Sequence, residues 1–224
     1  EQVIFAMIGI MIVSMGLGAF AARLFKSHFT AFAWLEVTIA LIGASSVLVL
    51  AGITALANIL PQILIDTFAM PPDLMPRGGM IIWAQKIAST MPYVAGFFLG
   101  FLIGMEIPLI ANIRETLYGE HIQHNTGSVY GADYIGAGLG AAIWVLFMLS
   151  LPPTVAGVIT ASVNLLVGLV FFGVYRQRIR FAALIFIAHM LVAAVLLLIS
   201  MNGTRWDKAM EDLLYKDKVI FSYN

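Results

Sequence analysis

Apolar residues run through this chain in long stretches, and polar ones gather between them. Six stretches are long enough for a helix to cross a bilayer, which takes about 20 residues. They lie at 3–22, 33–60, within 81–113, 131–151, 154–175 and 181–201. None alternates with period two, as the strands of a membrane barrel would. The pattern predicts an all-α integral membrane protein, a polytopic helical bundle of six spans over residues 1–201. The loop 61–79 is apolar but broken by Pro61, Pro71, Pro72 and Pro76, and reads as a short interfacial helix followed by a stiff turn. Beyond residue 201 the pattern changes. WDKAMEDLLYK reads as an amphipathic helical linker and KVIFSY as a strand beginning, so 202–224 is expected to lead into a soluble domain.

Composition narrows the picture further. Charged residues make up 11% of the chain, against roughly 25% in soluble domains, too few for a water-facing surface of this size. Basic and acidic residues balance at 12 each, so no surface for nucleic acid is implied. With no cysteine there are no disulfides, thiolate metal sites or thiol nucleophiles. The connections after the first, third and fifth spans hold six basic residues, whereas the opposite set holds only Arg77. By the positive-inside rule the arginine turn 176–180 is cytoplasmic, and residues 1 and 224 are outside. A bacterial inner membrane is the expected location. Trp34, Trp83 and Trp206 fall near span ends, as an aromatic belt would place them.

Charged side chains within spans are costly and point to function or pairing. Glu36 opens the second span, Glu106 lies in the third and Asp133 opens the fourth. Glu106 is six residues from the basic end of its span, about 9 Å deep. All three carboxylates thus lie at similar depth near the basic-loop face. Pairing with Arg23, Lys26 or Arg114 would neutralise them. Otherwise they form an acidic pocket for a proton or an organic cation, supported by Gly104, Pro108, Tyr134 and Arg114. Pro108 leaves the Gly104 carbonyl without its helical donor, next to Glu106. Small residues recur every fourth position at Gly96, Gly100 and Gly104, and again at Ala132, Gly136 and Gly140. Such rows permit close helix packing, and the third span is the expected partner of the fourth. His189 and Asn164 read as interhelical hydrogen-bond residues. His121 and His124 form an HxxH in a polar loop, which is not expected to hold a metal. No nucleotide-binding glycine loop and no serine–histidine–acid set is present, and no residue is assigned a catalytic role.

GMEIPLI at 104–110 resembles the GxEIPL motif of membrane-embedded spermidine synthase-like proteins, the polyamine aminopropyltransferases. ADYIGAGLGAAIW at 132–144 resembles their DYxGAL segment at about the right distance. FAMIGIMIVSMGLGAFAARL at 5–24 is similar to their early glycine-rich span, WLEV at 34–37 to the start of the next, and YKDKVIFSYN at 215–224 to the entry of the transferase domain. The resemblance implies an N-terminal transmembrane domain of seven spans in the full protein, ahead of a soluble domain. That domain would transfer an aminopropyl group from decarboxylated S-adenosylmethionine, its co-substrate, to putrescine. Two alternatives come from other classes. One is a polyamine or cation transporter; the other is a structural subunit that forms a homo-oligomer or docks other membrane subunits.

Overall fold

The computed structural model describes residues 2–69, 71, 78–119 and 122–214. They form six α-helices, with no strand among the described residues: α1 (Gln2–Ala21), α2 (His28–Phe68), α3 (Met80–Tyr118), α4 (Ile122–Leu146), α5 (Pro153–Tyr175) and α6 (Ala182–Leu214). Each is, by length and composition, apolar enough to cross a membrane. At 1.5 Å per residue α2 and α3 are each about 60 Å long, roughly twice the apolar thickness of a bilayer.

Four helices run further than the sequence suggests: α3 continues to Tyr118, and α4 begins at Ile122 rather than 131, so position 124 of the HxxH is helical and not in a loop. The break expected at Pro61 does not occur, because α2 continues to Phe68 with Pro61 buried inside it. A proline removes one helical donor and leaves one carbonyl, that of Ala57, without a partner; here Ala57, Pro61 and Ile65 are all buried on one face of the helix. The helix stops at Ala69, in the left-handed conformation with φ 46°, its N–H bonded to the Ile65 carbonyl. The stretch 202–214, expected to be helical, is continuous with α6. The strand expected at 218–223 lies outside the described residues, as does His121.

α2 is the hub, packing on α3, α5 and α6, while α1 packs on α3. Two buried clusters form around it. One, toward the basic turns, joins Phe29, Phe32, Leu35, Met105, Leu109 and Phe172. The other joins Val37, Ala40, Ala44, Ala161, Leu165 and Val192. Alanines on α2 and α5 let those backbones approach closely, the usual device where lipid gives no hydrophobic drive between helices.

The glycine rows do not pair α3 with α4 as the spacing suggests. A Cβ on Gly104 would lie 2.1 Å from the Met15 carbonyl oxygen, and one on Gly100 would lie 2.3 Å from the Ser14 hydroxyl. Reciprocally, a Cβ on Gly18 would meet the Phe101 carbonyl oxygen at 1.9 Å. The glycines of α3 therefore seat α1. Around Gly96, Gly136 and Gly140 nothing lies within 4 Å. α4 touches mainly α3, and between residues 127 and 150 only Val129 is buried. The small residues of α4 present an open face within this chain.

Candidate functional site

A polar layer separates the two apolar clusters. Glu36 follows Leu35 of one cluster and precedes Val37 of the other, and it is 4% exposed. Gly168 stands between Leu165 and Phe172 on α5, and His189 between Ile185 and Val192 on α6. These three residues meet. A Cβ on Gly168 would lie 2.7 Å from His189 Nε2 and 2.9 Å from Glu36 Cβ. Glycine is thus what lets α5 close on both side chains.

The tautomer of His189 follows from its contacts. Nδ1 lies 2.8 Å from the Ile185 carbonyl oxygen, which can only accept, so Nδ1 carries the proton. Nε2 is then an acceptor in the neutral ring and a donor in the doubly protonated one. It is fully buried and has no hydrogen-bond partner among the described residues. Buried polar atoms left unmatched are uncommon and costly.

Glu106 of α3 is half-buried, and Asp133 lies on the exposed face of α4 rather than inside the bundle. Tyr134 is 72% exposed and stacks on Tyr130, so it does not support an interior pocket. Pro108 lies inside α3, and Gly104 faces α1.

Of the basic residues expected to neutralise the carboxylates, Arg23 lies over the Phe20 ring. Arg114 has a buried Nε without a partner, and no Lys or Arg makes an ion pair with Glu36, Glu106 or Asp133 among the described residues. No group of three metal-ligating side chains is found among the described residues either.

An apolar groove of about 670 Å³ lies between α2, α3 and α5 on the side of the basic turns, and none of Glu36, Glu106, Gly168 and His189 lines it. Phe32 and Ile110 line it, each one helical turn from Glu36 and Glu106 on the same face. Arg114, Tyr118 and Tyr175 line its outer part. His189 and Gly168 are the residues that sequence reasoning did not place in the site. The available signal was depth, since His189 lies seven residues into the sixth helix from the same basic face as Glu36.

No family model matches the chain, and no solved structure does. Curated relatives do. A polyamine aminopropyltransferase of Shewanella oneidensis is 50% identical over 222 residues, covering 99% of this chain and 39% of that protein. One of Oceanobacillus iheyensis is 25% identical over 219 residues, covering 95% and 37%. Polyamine aminopropyltransferase 1 of Streptomyces coelicolor is 27% identical over 231 residues, covering 96% and 36%. The chain thus spans less than two fifths of the length of each of these relatives. Half identity over nearly every residue, with GMEIPLI and DYIGAG in place, makes this chain a member of the spermidine synthase-like, polyamine aminopropyltransferase family.

Proposed function

We propose that this chain is the membrane-spanning part of a polyamine aminopropyltransferase. The observation that carries the reading is a conjunction: six long apolar helices align with only 39% of a named transferase. The outward faces of these helices support it. Phe5, Ile12, Phe20, Leu166 and Leu197 are all more than 60% exposed, a surface suited to lipid and not to water. In this reading the transfer of an aminopropyl group from decarboxylated S-adenosylmethionine to putrescine belongs to the portion of the relatives that this chain does not match. No pairing of nucleophile and base, and no nucleotide cradle, is found among the described helices. The bundle's part is to hold that chemistry at the membrane.

The direct test is enzymatic. The purified chain, given putrescine and decarboxylated S-adenosylmethionine, is expected to form no spermidine. Product formation would refute the reading.

Orientation follows from charge. We place the turn at 176–180 in the cytoplasm, because the basic residues of the even-numbered connections are so few. The cysteine-free sequence makes this simple to check. A cysteine introduced at position 178 should resist a membrane-impermeant maleimide in intact cells and react after lysis. Labelling at 178 in intact cells would reverse the topology.

A further inference from the structure

We propose that a groove at the basic end of the bundle binds one phospholipid through an anionic phosphate head. The groove, of about 490 Å³, lies between the first half of α2, α3 and the arginine turn. Its mouth and its depth differ in chemistry. Arg180, Ser27 and Thr30 line the mouth, whereas Trp34, Leu102 and Leu109 line the rest. Thr38, the lining residue furthest along α2, stands about 15 Å from the start of that helix at His28. The groove therefore follows a spanning helix inward from its end, the course that a lipid tail takes in a bilayer.

The polar groups at the mouth are donors. Arg180 lies over the exposed Phe181 ring and makes no ion pair among the described residues. Its backbone N–H donates to Thr30 Oγ1 at 2.9 Å, and the Ser27 and Thr30 hydroxyls are bonded to each other at 2.8 Å. Whichever way that second bond runs, one hydroxyl proton of the pair has no acceptor among the described residues. The N-terminus of α2, which no side chain caps, adds partial positive charge beside them. Among the described residues no aspartate or glutamate lines the groove. Arg23 and Arg178 on the neighbouring turns lie over aromatic rings rather than against acids, so this face keeps its charge. A guanidinium and a spare hydroxyl at the head of an apolar channel suit an anion that carries a hydrocarbon tail. Zwitterionic lipids fit less well, because their amine meets no carboxylate at the mouth.

The inference rests on the reading that these helices cross a membrane. The test uses the purified chain in micelles of an uncharged detergent, with binding read by native mass spectrometry and by thermal unfolding. The probes are phosphatidylglycerol, phosphatidylcholine with the same acyl chains, and glycerol phosphate, which offers the charge without the tail. Phosphatidylglycerol should bind saturably and about tenfold or more tighter than phosphatidylcholine, the worth of one charge-assisted hydrogen bond. Glycerol phosphate should not bind measurably. Arg180→Gln should remove the preference between the lipids, whereas Arg178→Gln should keep it, because Arg178 does not line the groove. Should Arg180→Gln fail to fold, the headgroup preference of the unaltered chain decides. Equal binding of the two lipids overturns the proposal, as does equal loss in both arginine variants. Glycerol phosphate bound as tightly as the lipid overturns it too. A chain that needs no detergent overturns this inference together with the membrane-spanning reading. A detergent-dependent chain indifferent to the headgroup overturns the inference alone.

Discussion

Gly104→Val is expected to separate α1 from the bundle, at a cost of about 3 kcal/mol or more. A Cβ there would sit 2.1 Å from the Met15 carbonyl oxygen and 2.5 Å from its Cα, and both are backbone. No rotamer change can relieve such a contact, so the helices must move apart. Separation is expensive here for a specific reason. In lipid, helices are held by close packing rather than by exclusion of water, and the α1–α3 approach is built on Gly18, Gly100 and Gly104 together. Prying open one position loosens the other two. Gly96→Val and Gly136→Val are the controls, since nothing lies within 4 Å of either position. They should change stability by no more than about 0.5 kcal/mol. Thermal unfolding of the three variants in one detergent measures the contrast. A Gly104→Val protein that melts with the unaltered chain would show that α1 is held by something other than these glycines.

That contrast also shows what could be read from the sequence and what could not. Gly100 and Gly104, four residues apart, announce a face that some backbone approaches. They do not say whose. Chain adjacency suggested α4, whereas the reciprocal notch is Gly18 in MGLGAF of α1, a glycine that carries no label for its partner. Helix existence was legible because uninterrupted apolar runs leave the backbone no other way to satisfy itself in lipid. Helix ends were less so. Pro61 is a local signal for stopping, yet α2 runs through it, and the amphipathic stretch after residue 201 is continuous with α6.

The same division holds at the polar layer. Counting residues from the basic turns gives depth, and depth alone brought Glu36, Glu106 and Asp133 to one level. It says nothing about rotation around each helix axis. Glu36 turns into the bundle, Glu106 halfway, and Asp133 onto the open face of α4. His189 shares their level, and its part depends on a notch at Gly168, a residue with no side chain to attract notice.

Gly168 is therefore where fold and site can be tested together. Gly168→Ala is expected to cost about 1–3 kcal/mol, the usual range for forcing an added methyl into a filled space. The new methyl would lie 2.7 Å from His189 Nε2 and 2.9 Å from Glu36 Cβ. The ring cannot easily swing aside while Nδ1–H is bonded to the Ile185 carbonyl. His189→Ala alone should also destabilise, because truncating a large buried side chain leaves a cavity. Combined, the two changes should compensate in part: the alanine methyl at 168 moves into space the ring has vacated. The double variant should thus be more stable than the sum of the single losses predicts, by about 0.5–3 kcal/mol. Only contact between these two positions yields that sign, since independent sites add to within about 0.5 kcal/mol. Additive losses would mean that α5 does not close on His189 through Gly168, and the layer described for α2, α5 and α6 would have to be rebuilt.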